Sequence, residues 1–587
     1  MQTMLRNTLI PLTALAFSVP GATSQTLQGQ SVNSHGVTQT GNVIRTTTRL
    51  VQVSVVVTDK EGQPVTGLNK ESFTILDGGH QQEIAMFAAE TPSSSDKPVR
   101  TLPPNIFTNR HDVLGEAPGS NTVIFLDALN TSQADQAHVR EQVLRFLKGI
   151  RPQDHFAIYA LTAPTQVQIL HEFTRDDAAL VKAIEEYSIK PPDRSIVRFA
   201  NALDFTELPT AILPMVPQDT MNPKTAEQSE ELRDEYARMR TYPLVGAMIG
   251  IANHVAAIPG RKNLIWITGG TPLRLGHLPD KVRLSELGYR LRTPEYADTG
   301  YELMRAVAES CNAANVGMYG VDVHGVQVDA RYDPGNRGNA GDPGTALQMA
   351  QKQLAAEQDV RDTYRMLADE TGGTAFYGNN QVVEGMIRAF DDGRYAYTIG
   401  YYPDHIKWDG SFRKIQIKIK EEGDRARYRD GYYATPGDPS NLGDAEKQLK
   451  EAADSPLDSN SLSMMVSGQH MQQPSATSRE LKFQVGVDVA QLHMENIKSH
   501  RTSAIDLVFV QRNDKTDVIA ADKKHIGLDF TEEQYQGLLN TGAIFEWHLQ
   551  LLPEAKDVRV IVRDTGSGQI GTVTVPVKTF FPATATR

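Results

Sequence analysis

The sequence predicts an α/β domain with a doubly wound, mostly parallel sheet, flanked by antiparallel β domains that include a C-terminal β-sandwich. Three observations carry this prediction. Short apolar segments alternate with amphipathic segments over residues 121–392, which is typical of strands covered by helices on both faces. Period-two segments dominate residues 50–90 and the chain after residue 393, as expected of antiparallel strands. Polar stretches rich in Ser, Pro or Gln separate these regions and indicate linkers.

The first 24 residues predict a secretory signal peptide. Arg6 precedes a mostly apolar run, and small residues such as Ala22 and Ser24 follow it, which is the order of a cleavable signal. This run is too short to cross a bilayer, and no later segment of the sequence is apolar enough to do so. We therefore expect a secreted or periplasmic protein without a transmembrane segment. The net charge of −12 argues against a nucleic-acid partner.

Changes in composition set the remaining domain boundaries. We expect a linker over 25–45, an N-terminal β unit over 46–92, the α/β domain with insertions over 115–392, β hairpins over 393–436, a linker over 437–477 and a β-sandwich over 478–587. The N-terminal unit and the hairpins each have too few strands to be stable alone. We therefore expect them to join into one β domain from which the α/β domain projects.

The elements of the α/β domain follow from periodicity. Strands are predicted in the segments NTVIFLDALN, DHFAIYALT, NLIWITGG and VGMYGVDV, with an edge strand in TGGTAFYG. Helices are predicted between them, over residues 133–149, 176–187, 226–240, 244–257, 296–314 and 382–390. Polar or Pro-rich segments at 190–240 and 271–295 are predicted as insertions.

Several motifs together resemble a known family. The string VVVTDKEGQPVTGL…FTILDGG, then GRKNLIWITGG, then LADETGGTAFYG…YAYTIGYYP, resembles the acidobacterial VWFA-related predicted secreted proteins over about residues 45–435. The DALNT segment, the GRKNLIWITGG segment and VGMYGVDV are similar to a von Willebrand factor A domain. In such domains a D-x-S-x-S loop, a Thr from a second loop and a later Asp hold a metal ion. The resemblance implies Asp127, Thr131 and Thr241 as metal ligands, and Mg²⁺ or Ca²⁺ as the cofactor.

The sequence departs from that metal motif at two positions. Leu129 stands where the first Ser belongs and Gly269 where the last Asp belongs, so a hydroxyl and a carboxylate are missing. We expect a degenerate site without a cofactor, and a weakly held divalent cation with help from Asn130 is the alternative. Asp127, Asn130 and Thr131 can also simply cap the following helix.

The carboxyl ends of the parallel strands are predicted to form a ligand-binding crevice, with or without a metal. Its candidate residues are Asp127, Asn130, Thr131, Thr241, Gly269 and His324. The metalloprotease, nucleophile-elbow and phosphate-loop motifs are absent from the sequence, and the single cysteine, Cys311, is predicted to be buried. We expect a non-enzymatic adhesion or scaffolding protein that binds a protein or an envelope-surface partner. An extracytoplasmic enzyme built from the insertions and an inert structural component of the envelope are the alternatives.

Overall fold

A computed structural model describes most of the chain. The described residues are 50–89, 102–103, 105–110, 121–149, 154–162, 166–187, 226–258, 260–270, 300–323, 358, 360–377, 382–403, 409, 411–421, 423–434, 445–471, 479–497 and 499–581, with backbone only over 226–239. The chain forms two compact units. The first comprises Thr48–Asp96 and Ala117–Thr435, and the second, here called the C-terminal unit, comprises Met1–Thr47, Lys97–Glu116 and Pro436–Arg587.

The secondary structure is numbered in chain order. The strands are β1 Val51–Thr58, β2 Phe73–Asp77, β3 His80–Gln82, β4 Ile84–Ala89, β5 Ile106–Thr108, β6 Asn121–Asp127, β7 His155–Thr162, β8 Gln166–Thr174, β9 Lys262–Thr268, β10 Val316–Asp322, β11 Thr374–Phe376, β12 Ala396–Tyr401, β13 Phe412–Ile419, β14 Arg425–Arg427, β15 Gly431–Tyr433, β16 Met464–His470, β17 Glu480–Val487, β18 Glu495–Ile497, β19 His500–Arg512, β20 Val518–Thr531, β21 Ala543–Gln550, β22 Asp557–Asp564 and β23 Ile570–Pro576. The helices are α1 Gln133–Leu147, α2 Asp177–Glu186, α3 Ala226–Val255, α4 Gly300–Ala313, α5 over 360–371, α6 Val382–Arg394, α7 Ala445–Asp454 and α8 Glu532–Thr541.

Two antiparallel sheets of the first unit combine strands from distant parts of the sequence. Their strand orders are β14-β1-β12-β4 and β15-β13-β2-β3. Val51 of β1 lies opposite Tyr401 of β12, and Ile417 of β13 lies opposite Ile75 of β2. Apolar side chains of both sheets pack into one core, because alternate residues of each strand point to the same face.

The six-stranded sheet of the first unit has the order β11-β10-β9-β6-β7-β8. The pairings from β11 to β7 are parallel, whereas β8 is antiparallel to β7. Strands β6 and β9 are buried along their whole length. Val143 of α1 and Met386 of α6 share a core with Ile124 of β6 and Ile265 of β9, so these helices cover the sheet.

The predicted fold class is wrong for this chain. Of the five sheets among the described residues, four are antiparallel and one is mixed, so a doubly wound parallel sheet does not describe the architecture. One reason is local: only residues 163–165 separate β7 from β8, and a parallel partner needs a crossover of about a dozen residues. No strand was predicted between the DHFAIYALT strand and the helix over 176–187, where β8 lies. The β-rich regions on either side fit the prediction.

The structure differs from the sequence analysis at two further places. Helix α3 is continuous through Pro243, where two helices were predicted, so Thr241 lies inside a helix and not at the start of one. The predicted linker over 437–477 contains α7 and β16. Leu449 and Ala453 of α7 are buried against Ile561 of β22, and this amphipathic spacing gives an otherwise polar segment an apolar face.

The C-terminal unit is a pair of packed antiparallel sheets. One has the order β21-β17-β16-β5, and the other has the order β18-β19-β22-β23 with β20 paired to β19. Phe483 of the first sheet and Phe509 of the second lie in one core, with ring centroids 5.4 Å apart. Strand β5 comes from the segment between β4 and β6 and pairs with β16.

Four sequence-based predictions fall outside the described residues: the signal peptide over 1–24, the linker over 25–45, the insertion over 271–295 and the crevice residue His324. Within the part of the chain that the structure describes, none of the helices combines the length and apolar character needed to cross a membrane.

Candidate functional site

Polar side chains meet where three neighbouring parallel strands end. Asp127 closes β6 and lies opposite Thr268, the last residue of β9. Thr268 in turn lies opposite Asp322, the last residue of β10. Because parallel strands run in register, their carboxyl ends form a single edge, and an open α/β sheet binds ligands at such an edge. We call this edge, together with the described loop residues 128–132 and 269–270, the crevice.

The Asp127 carboxylate is held by nitrogen donors. The Asn130 side-chain amide Nδ2 lies 2.9 Å from each Asp127 oxygen, and the Asn130 backbone N–H donates to Oδ1 at 3.2 Å. The Trp266 indole Nε1 donates to Oδ2 at 3.2 Å. Asp127 is only 1% exposed, so these bonds replace the water that a carboxylate would otherwise require. They also fix the turn over residues 128–131.

Thr131 joins the loops that follow β6 and β9. Its hydroxyl donates to the Asp127 carbonyl oxygen at 2.7 Å and accepts from the Gly269 backbone N–H at 2.8 Å. The next residue, Ser132, is the N-cap of α1 and accepts from the Asp135 N–H. Local side-chain-to-backbone bonds of this kind therefore shape the crevice floor.

Arg240 brings a positive charge to the crevice from helix α3. Its Nε donates to the Asn130 side-chain oxygen at 2.8 Å, so the Asn130 amide bridges the guanidinium and the Asp127 carboxylate. Burial raises the pKa of Asp127 to about 6, against the lowering effects of hydrogen bonds from Asn130, Thr268 and Trp266 and of the Arg240 charge. Burial lowers the pKa of Arg240, and the Asp127 charge opposes that shift.

Tyr364 of α5 forms the back of the crevice. Its ring packs edge-on against Trp266, with centroids 5.1 Å apart, and the side chain is 1% exposed. Burial raises its pKa well above the ordinary value, and the Asp322 and Asp127 charges add to that shift. The phenol therefore stays protonated, and the two carboxylates share the edge with a neutral group.

The crevice residues do not fit a divalent cation. A hard cation needs oxygen lone pairs directed at it, but three N–H groups point at the Asp127 oxygens and the Thr131 hydroxyl is bonded on both sides. Leu129 is buried and has no oxygen to offer from its side chain. Arg240 adds a charge that repels a cation. No group of three or more His, Cys, Asp or Glu side chains suited to a metal occurs within the described ranges.

The structure brings together four of the predicted crevice residues: Asp127, Asn130, Thr131 and Gly269 are linked by hydrogen bonds. Thr241 is buried in α3, beside Arg240 in sequence. Sequence reasoning missed Arg240, Trp266 and Tyr364, which complete the crevice. Trp266 could have been predicted to lie near the crevice, because it stands two residues before the end of a strand whose apolar sequence indicated burial.

Comparisons with known proteins give low similarity. No protein-family model matches the sequence, and no curated protein matches it. A solved structure of an aerotolerance-related membrane protein from Bacteroides fragilis is 13% identical, with a TM-score of 0.23, over 46% of this chain and 99% of that one. BatB, a conserved hypothetical protein from Bacteroides thetaiotaomicron, is 11% identical, with a TM-score of 0.21, over 46% and 96%. Three N-terminal domains of a type V pilus tip protein from Porphyromonas gingivalis are 8% identical, with a TM-score of 0.20, over 84% and 77%. These TM-scores are too low to indicate a function for this chain.

Proposed function

We propose that this chain is an extracytoplasmic adhesion or scaffolding protein that binds a protein partner at the crevice. The observation that carries the proposal is the hydrogen-bonded set of Asp127, Asn130, Thr131 and Arg240 at the carboxyl edge of the parallel strands. A polar set of this size at a strand edge is costly to bury unless it is satisfied. The hydrogen bonds within this set hold the crevice in a fixed shape, and a fixed shape is suited to recognition of a partner.

The Thr131 hydroxyl favours binding over catalysis. A nucleophilic hydroxyl needs a neighbouring base that takes its proton. The Thr131 hydroxyl instead donates to the Asp127 carbonyl oxygen and accepts from the Gly269 backbone N–H. Its proton is therefore committed to a backbone oxygen, which is not a base. In this arrangement the hydroxyl joins two loops.

Site-specific photocrosslinking tests where the partner binds. A photoreactive amino acid at Ala128, in the turn after β6, samples the crevice, and the same group at Lys148, the exposed C-cap of α1, samples the other end of that helix. Incubation with an envelope extract of the source organism should give a discrete protein adduct from position 128 and none from position 148. Equal labelling from both positions, or no adduct from position 128, contradicts a crevice-centred binding function.

A further inference from the structure

We propose that Arg240 binds a carboxylate of the partner directly, an Asp or Glu side chain, with no metal ion between protein and ligand. This inference rests on the proposed binding function and names the chemistry that the crevice recognises. In place of a bound metal ion, the Arg240 guanidinium supplies the positive charge that meets the ligand.

The Arg240 guanidinium has more hydrogen-bond donors than the described residues around it use. An arginine has five N–H donors in a planar fork. Among the described residues, the bond from Nε to Asn130 is the hydrogen bond that Arg240 makes, and the side chain is partly buried. Its two terminal nitrogens have no acceptor among the described residues. They are therefore available to a ligand that supplies acceptor oxygens.

Asp127 and Asn130 fix the orientation of the Arg240 guanidinium. The Asn130 amide is fixed by its two contacts with Asp127, at 2.9 Å each, and its oxygen in turn fixes the Nε edge of Arg240 at 2.8 Å. A guanidinium held at one edge presents its remaining nitrogens as a prearranged pair, which matches the two oxygens of a carboxylate. Prearrangement lowers the entropy cost of binding. Asp127 thus acts as a positioning residue through Asn130.

The charges of the crevice favour a carboxylate over other anions. Among the residues that the structure describes there, one guanidinium supplies the positive charge, and the Asp127 carboxylate lies one side chain away from it. The backbone N–H groups of Gly269 and Gly270 are already bonded to threonine hydroxyls, so they offer no further anion-binding donors. A phosphate dianion would meet repulsion from Asp127 with a single cation to offset it. A monoanionic carboxylate balances the guanidinium and suits this site better.

Peptide arrays test this inference without knowledge of the partner. The probe is a spotted set of short peptides with random neutral residues around one central Glu. Matched sets carry Gln or phosphoserine at that position. The unaltered full chain should bind the Glu peptides about tenfold to hundredfold more strongly than the Gln peptides, as expected of a charge-assisted bidentate pair. The signal should be the same in EDTA and in Mg²⁺ or Ca²⁺.

Two variants locate the interaction. Arg240→Gln should reduce binding of the Glu peptides to the level of the Gln peptides, and Arg240→Lys should retain part of it because an ammonium lacks the fork. Arg145→Gln is the matched control, since Arg145 is exposed on α1 and pairs with Glu141. If Arg240→Gln does not fold, the Arg240→Lys variant and the EDTA comparison on the unaltered chain still test whether Arg240 binds the carboxylate without a metal ion.

Four results would overturn the inference: a requirement for a divalent cation, equal binding of Glu and Gln peptides, a preference for phosphoserine, or unchanged binding by Arg240→Gln. A failed array with a specific photocrosslink from position 128 removes the carboxylate chemistry and leaves the proposed binding function. Loss of the crosslink removes the binding function itself.

Discussion

The raised pKa of Asp127 predicts an unusual pH dependence of stability. The folded protein holds this carboxyl at a pKa of about 6, compared with an ordinary value of 3.8. Between these two values the folded state binds a proton that the unfolded state has released. The free energy of unfolding therefore contains a contribution that is fully present below about pH 4 and is lost as the pH rises through about 6. A shift of about 2 pH units corresponds to roughly 3 kcal/mol.

Asp127→Asn removes this contribution while keeping the size of the side chain. The difference in unfolding free energy between the variant and the unaltered protein should shift in favour of the variant by roughly 2 kcal/mol from pH 4 to pH 7. The Asn oxygen can still accept from the Trp266 indole or from Asn130, so the turn should survive. Other titrating groups cancel in this difference.

Urea denaturation followed by Trp266 fluorescence gives the measurement. The chain has three tryptophans, so a Trp408→Phe, Trp547→Phe background leaves Trp266, which donates to Asp127 itself. In this background, unfolding transitions are recorded at unit intervals from pH 4 to pH 7 for the protein with Asp127 and for the Asp127→Asn variant. A difference that stays flat with pH, or that moves in favour of the unaltered protein, refutes the burial argument for Asp127.

Three further predictions concern other parts of the first unit. Gly373→Ala should lower the unfolding free energy by roughly 3 kcal/mol or more, because the new Cβ would lie 1.8 Å from the Met318 carbonyl oxygen. Gly246→Ala in α3 adds a Cβ in open space and should raise the unfolding free energy by about 0.5–1 kcal/mol. Thermal melts of both variants make the comparison. Burial raises the pKa of Glu370 to about 7, and the charges of Asp430 and Asp369 add to that shift. Glu370→Gln should therefore gain stability relative to the unaltered protein as the pH rises through about 7. Urea titrations at pH 5 and pH 8 test the sign of this change. Cys311 is buried with its pKa raised to about 12, so a thiol reagent should label it in urea and not in buffer at pH 8, and rapid labelling in buffer would contradict its burial.

A second buried carboxylate shows how the antiparallel part of the first unit is specified. Asp77 of β2 is 3% exposed and accepts from the Tyr401 hydroxyl at 3.0 Å and from the Tyr432 hydroxyl at 2.8 Å. Burial and the Asp77 charge raise the pKa of both phenols. These bonds connect β2 to β12 and to β15, and the residues that they join are 324 and 355 positions apart in sequence. They therefore favour one arrangement of the two sheets.

The sequence by itself determined the local structure of this protein and the position of Asp127. Period-two and apolar segments located the strands, and Asp127 at the end of one of them marked the crevice. Asn130 and Thr131 follow within one turn, so their bonds to Asp127 could be anticipated as local capping. Such contacts span three or four residues, and for that reason a single sequence contains them.

Only the tertiary structure decided the sheet pattern and the charge of the crevice. The direction of β8 depends on a three-residue connection that composition did not reveal. Arg240 reaches Asn130 across 110 positions of sequence, and no periodicity links residues at that distance. Which side chains become neighbours there depends on how helix α3 packs, and that packing places a guanidinium beside a site that the sequence predicted to be degenerate and without a cofactor.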